Sequence, residues 1–182
     1  PKLDAASGGG VELGEVVVVG GLTSHGKSVC GLQFLRTTVE TGRHAILVSH
    51  EMGGLAIAKR MISARTTRDR YYWADHVDEL QREADAYWAK CGELFLLEHC
   101  RKIEAIEAEV EKITREYSIG MVVVDHAQLT VGQGATRYEQ LSNASGRFKE
   151  LATKHEWIAV VLSQLNREAA KTGEQESHHL RE

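Results

Sequence analysis

The chain has 182 residues, 42% of them hydrophobic, and a formal net charge of −4. That is one domain's worth of sequence, able to bury about 70% of the surface its unfolded chain exposes. Ordinary apolar content and no run approaching the ~20 residues of a membrane span predict a soluble globular protein without a membrane partner, and the acidic balance excludes a broadly basic nucleic-acid surface while leaving room for a grip by a few loop residues.

Residues 1–14 are Gly- and Ser-rich and read as a lead-in loop or the end of a linker. No signal peptide is visible at Pro1-Lys2-Leu3-Asp4, and Cys30, Cys91 and Cys100 have neither metal nor disulfide spacing, which suits a reducing cytoplasm. From residue 15 onward strand and helix signals alternate. The first strand is expected over 15–19, through Val16, Val17, Val18 and Val19. Gly21-Leu22-Thr23-Ser24-His25-Gly26-Lys27-Ser28 follows it, and a helical pattern opens at Val29. Strand, glycine loop and helix N-terminus in that order make a P-loop, a site for a nucleoside triphosphate with Mg2+. The helix N-terminus offers unpaired N–H groups and the positive end of a dipole to the anion. Gly21 and Gly26 let the backbone come closer to phosphate than a Cβ would allow. Lys27 supplies a point charge for the β- and γ-phosphates, and the Ser28 hydroxyl is a magnesium ligand. His25 reads as a filler of the loop.

The second strand, expected over 44–49, carries Glu51 just past its end. Such a carboxylate either polarises the water that attacks the γ-phosphate or caps the next helix. Residues 55–89 hold one or two helices with a polar turn around 66–70, and Tyr71-Tyr72-Trp73 reads as packing more than as a base-stacking platform. After a third strand over 93–97, the stripe Ile103, Ile106, Val110, Ile113, Tyr117 predicts a helix, with Glu111 and Arg115 paired at i,i+4 on its wet side. The fourth strand, 121–125, ends in Asp125, placed to hold a magnesium-bound water. His126, directly after it, reads as packed or solvated. The stripe Leu141, Ala144, Phe148, Leu151 predicts another helix, and a fifth strand over 157–163 leads to Gln164, either a γ-phosphate contact or a strand-end cap. The polar tail from Asn166 is too long for an ordinary connection and reads as a functional or flexible loop. His178-His179 lacks the partners of a metal site. Alternating β and α predicts an α/β fold, a parallel twisted sheet with helices on both faces and ligands at the carboxyl ends of its strands.

Taken together, Gly20 to Ser28, Ser49-His50-Glu51-Met52, Val124-Asp125-His126-Ala127-Gln128-Leu129, Leu162-Ser163-Gln164-Leu165-Asn166-Arg167 and Leu180-Arg181-Glu182 resemble the successive motifs of the DnaB-type replicative helicases, RecA-like ring ATPases of the P-loop class. Arg60 and the run Arg147-Phe148-Lys149-Glu150-Leu151-Ala152 fit the same pattern. The resemblance spans essentially the whole chain. It implies ATP as substrate with Mg2+, and residues Gly21 to Val29 around the nucleotide. Lys27 and Ser28 would meet phosphate and metal, Glu51 would be the catalytic base, Asp125 would hold the magnesium-water shell, and Gln164 would sense the γ-phosphate. Arg137, Asn166, Arg167, Lys171 and Arg181 would lie in DNA-facing segments. The partners it implies are single-stranded DNA, further copies of the chain in a homo-oligomeric ring (a hexamer), a primase and a helicase loader.

There are departures. His126 and Ala127 stand where Tyr and an apolar residue are usual, Leu22 and Thr23 replace an Arg-Pro-like pair, and His25 replaces a Met-like residue. None removes a catalytic group. The chain stops at Glu182, where the family continues with further strands, so a RecA-like core incomplete at its C-terminus is expected over 15–182. Three functions remain in play: a helicase motor, another RecA-like ATPase (recombinase, clock-type switch or loader), and a nucleotide-binding assembly module without turnover.

Overall fold

The structure of the chain, a computed structural model, describes residues 8–98, 100–126, 130 and 137–164. Its elements are β1 (Val16–Gly21), α1 (Lys27–Glu40), β2 (His44–Ser49), α2 (Gly54–Ser63), α3 (Tyr72–Asp75), α4 (Val77–Trp88), β3 (Leu94–Glu98), α5 (Ile103–Glu116), β4 (Ile119–Asp125), α6 (Arg137–His155) and β5 (Ile158–Gln164). The strands form one parallel sheet in the order β1-β5-β4-β2-β3.

Side chains alternate between the two faces of each strand, and each face buries its own helices. Ala45, Leu47, Val123, Val160 and Leu162 pack under α1, α2, α3 and α4, through residues such as Leu35, Ile57, Trp73 and Leu80. Ile46, Val48, Val122, Val124 and Ala159 pack under α5 and α6, through Ile106, Val110, Phe148 and Ala152. Burying both faces explains the nearly continuous apolar runs of β2, β4 and β5. α1 lies close to the sheet at Gly31, where a Cβ would stand 2.8 Å from Leu162 Cδ1 and 3.2 Å from Val123 Cγ1.

The expected parallel α/β arrangement is present, with differences in detail. β1 runs on through Gly20 and Gly21, because both still pair with β5, at Ser163 and Gln164. The stretch 55–89 contains three helices, α2, α3 and α4, α3 being a single short turn. It is anchored by Trp73, which is fully buried and donates from Nε1 to Ser63 Oγ at 2.9 Å. Tyr117 falls just outside α5 in extended conformation, where its ring meets those of His44 and Phe95. Glu111 makes its ion pair with Lys154 of α6, with His155 Nε2 3.9 Å away, in place of Arg115, since a partner on a packed neighbouring helix outcompetes a solvated one on the same helix. Among the described residues no helix is long and apolar enough to cross a membrane.

Candidate active site

The parallel sheet brings the ends of β1, β5, β4 and β2 to one edge. Gly21 pairs with Gln164, Asp125 with Leu162, and Ser49 with Asp125, so the residues that follow these strands emerge side by side.

Between β1 and α1 the chain turns through Ser24 at φ 65° and Gly26 at φ 79°, the left-handed region that favours glycine. Gly26 is the N-cap of α1, no side chain caps the helix, and its first turn carries no acidic residue. The N–H groups and positive dipole end of α1 are therefore left for an anion. Lys27 is buried at 7% exposure, and its Nζ donates to the carbonyl oxygens of Gly21 and Leu22, each at 2.8 Å. A Cβ at Gly21 would press on Lys27 Cγ at 3.2 Å, so glycine there serves the lysine stem.

After β2, Ser49 Oγ accepts from Met52 N–H at 3.1 Å and donates to Met52 O at 2.7 Å. This clamp fixes the tight turn on which Glu51 sits, its side chain 56% exposed. Glu98, at the end of β3, accepts from Gly54 N–H at 2.5 Å and so satisfies the start of α2 from outside that helix. Asp125 ends β4 buried at 6% exposure, with Oδ1 lacking a hydrogen-bond partner among the described residues. Its carbonyl accepts from His50 N–H at 2.8 Å, joining the turn after β2 to the end of β4. Gln164 ends β5 and donates from Nε2 to Thr23 Oγ1 at 2.9 Å, linking that strand end to the loop after β1.

A cavity of about 750 Å³ opens over these strand ends. Thr23, Ser24, Gly26, Lys27, Ser28, Val29, Glu51, His126 and Gln164 line it, and Arg36, Arg60, Arg68 and Arg70 close the wall toward α1 and α2. Gly21, Leu22 and His25 stay off its lining, the first two acting through their carbonyls on Lys27. Asp125 lies beneath, with Ser28 and Ser49, around a smaller cavity of about 10 Å³. The hydroxyl of Ser28 and the unpartnered oxygen of Asp125 are hard oxygen donors that fit a magnesium ion, which keeps several waters and needs few protein ligands. The described residues hold no cluster of three or more His, Cys, Asp and Glu that could hold a metal ion.

The sequence reading missed the contact between His126 and Glu51: Nε2 of His126 stands 3.0 Å from Glu51 Oε2. Nothing in local spacing signals it, because the two residues reach each other from adjacent strands. Of the arginine wall, Arg68 and Arg70 were legible as a polar turn and Arg60 through the resemblance, while Arg36 was not singled out. Arg137 opens α6, but its side chain, like Asn166, Arg167, Lys171, Arg181 and His178-His179, lies outside the described residues.

The geometry agrees with comparisons to known proteins. The family model of the DnaB-like helicase C terminal domain matches residues 1–181. Replicative DNA helicase DnaB of Helicobacter pylori strain 26695 is 29% identical over 171 residues, 87% of this chain and 34% of that protein. The DnaB of strain J99 is 28% identical over the same shares. The chain thus spans about a third of the length of the curated relatives it matches. Among solved structures, an ATPase domain superposes with a TM-score of 0.80 at 20% identity, covering 99% of this chain and 68% of that one. The structure of a DnaB-like replicative helicase and its interactions with primase gives 0.72 at 20% identity, over 91% and 42%. The fold is that of these two structures, and the chain belongs to the family of DnaB-like helicase C-terminal domains.

Proposed function

We propose that this chain, its residues 15–182 forming the ATPase core and 1–14 a lead-in, is the ATP-hydrolysing motor of a replicative DNA helicase. The observation that carries the reading is the convergence of Lys27 and Ser28, Gln164, Asp125 and Glu51 at the ends of four neighbouring strands, with Asp125 beneath the cavity that the others line. Phosphates would rest on the N–H groups of the first turn of α1, with Lys27 exchanging the carbonyls of Gly21 and Leu22 for β- and γ-phosphate oxygens. Ser28 and Asp125 would hold Mg2+, which when bound neutralises charge on the β- and γ-oxygens. Glu51 would orient the attacking water and take its proton. Gln164, already bonded to Thr23, would register the γ-phosphate and pass its loss to the segment after β5.

In this reading the chain works as a homo-oligomeric ring, a hexamer, on single-stranded DNA, with primase and a helicase loader as partners. Arg137, Asn166, Arg167, Lys171 and Arg181 supply the DNA-facing cations and hydrogen bonds. The test is ATP turnover by the native protein with and without single-stranded DNA, beside Lys27→Ala and Glu51→Gln. Stimulation by DNA is expected, with turnover near zero in both variants and nucleotide binding kept in Glu51→Gln. Flat turnover with intact ATP binding would move the assignment to a nucleotide switch or assembly module, and unchanged turnover in Glu51→Gln would remove Glu51 from the role of base. DNA binding should weaken steeply with salt, since each neutralised phosphate releases counterions.

A further inference from the structure

His126 is 12% exposed and touches the two carboxylates that matter most to the site. Its Nε2 is 3.0 Å from Glu51 Oε2 and 4.0 Å from Asp125 Oδ1. The first distance is within hydrogen-bond reach once the ring N–H turns toward the oxygen; the second is not. Among the described residues Glu51 is otherwise placed through the backbone turn that the Ser49–Met52 clamp fixes, and its side chain is more than half exposed. A glutamate has three side-chain torsions, and a solvated one samples many rotamers. A base must instead keep its oxygen within about 3 Å of the proton it takes.

We infer that His126 is a positioning residue: its Nε2–H donates to Glu51 Oε2 and holds that carboxylate over the phosphate cavity, leaving Oε1 to orient the attacking water. Nε2 is the donor in the neutral Nε2–H tautomer and in the imidazolium alike, so the contact does not depend on the ring's charge. The backbone that carries the ring is placed by chain position, directly after Asp125 at the end of β4, whose pairing with β2 sets Ser49 opposite Asp125. The hydrogen bond therefore spans two strands already locked in register, and the base is oriented by the sheet. This rests on Glu51 being the base, as proposed above.

The test compares His126→Leu, which keeps bulk and removes the donor, with His126→Gln, whose amide N–H has similar reach. Single-turnover hydrolysis in His126→Leu should fall about tenfold with ATP affinity within twofold of wild type, as expected of lost orientation rather than lost binding. His126→Gln should recover most of that loss, and His126→Leu should add nothing further in a Glu51→Gln background. Independently of activity, the nucleotide-free protein should show an exchange-protected imidazole N–H resonance. Its disappearance in His126→Gln assigns it to His126, and its disappearance in Glu51→Ala identifies the acceptor. Unchanged hydrolysis in His126→Leu, equal losses in Leu and Gln, faster hydrolysis in Leu, or a resonance that survives Glu51→Ala would each overturn the inference. Full turnover in Glu51→Gln would instead overturn the assignment of the base, so the two failures are distinguishable.

Discussion

His50 Nε2 and Thr130 Oγ1 stand 3.0 Å apart in the interior, one contact joining the turn after β2 to the segment after β4. Nδ1 of the same ring is buried without a hydrogen-bond partner among the described residues. Burial, then the nearby charges of Arg101 and His126, lower the pKa of His50 from 6.5 to about 4, against an opposing pull from Asp125.

A pH dependence of stability follows. Between pH 4 and 6.5 the unfolded chain binds a proton at this position that the folded chain refuses. Stability from this group is complete above 6.5 and is lost as pH falls, with a limiting slope of about 1.4 kcal/mol per pH unit. Urea denaturation at pH 7 and pH 4.5 should show His50→Leu losing about 2 kcal/mol less than wild type between those two conditions. The same loss in both proteins would remove His50 as the cause.

Lys27 is enclosed and its Nζ is bonded to two carbonyls of its own loop, so its replacement reshapes the loop as well as removing a charge. Lys27→Ala should weaken ATP binding by at least about tenfold, since a charge-assisted contact to phosphate contributes ~1.5–3 kcal/mol. In calorimetry, the rise in melting temperature that ATP gives the wild type should be clearly smaller in the variant at the same ATP concentration, because stabilisation follows the fraction of sites filled. An equal rise in both would place the phosphates elsewhere.

Two glycines outside the loop should differ in their tolerance of a methyl group. A Cβ at Gly92 would stand 2.1 Å from Arg43 O and 2.5 Å from Arg43 C, both backbone atoms that cannot turn aside. At Gly31 the nearest obstacle is the tip of Leu162, at 2.8 Å. Gly92→Ala should cost ~3 kcal/mol or more and Gly31→Ala ~1 kcal/mol in urea denaturation. Equal costs would refute the ranking.

Arg147 of α6 bridges Glu104 and Glu107 of α5. Glu107 is the more enclosed, and burial raises its pKa despite the guanidinium beside it. Arg147→Met should therefore cost ~1–2 kcal/mol, most of it from a carboxylate left without a partner, while Arg147→Met with Glu107→Gln should return to within ~1 kcal/mol of wild type. If the double variant is as unstable as the single, the arginine stem rather than its charge holds the helices together.

The sequence was legible where one physical demand acts locally. The run Val16 to Val19 followed by Gly21, Gly26, Lys27 and Ser28 announces a strand, a left-handed turn and an open helix start, and all three are present, although the strand is a half-exposed edge of the sheet rather than a buried one. Illegible features depend on partners far along the chain. Gly20 and Gly21 look like loop until Ser163 and Gln164 pair with them. The helical spacing of Glu111 and Arg115 is sound, yet α6 supplies a nearer cation in Lys154. Trp73 could have been a platform or an anchor, and the choice falls to Ser63, which satisfies its indole N–H in the interior. His126 and Glu51, 75 positions apart, meet because β2 and β4 are neighbours in the sheet although β3 separates them in sequence.

The strand order also determines what can move. With neighbouring strands ~4.8 Å apart, the ends of β1, β5, β4 and β2 form a row ~15 Å long, and each interval is spanned by a ladder of backbone hydrogen bonds. The row behaves as a comb whose teeth keep their pitch, so in the motor proposed above the work drawn from the site would be expressed in the segments that leave the teeth. A protein engineer wishing to redirect that work could exchange those outgoing segments and leave the spacing of the chemistry intact.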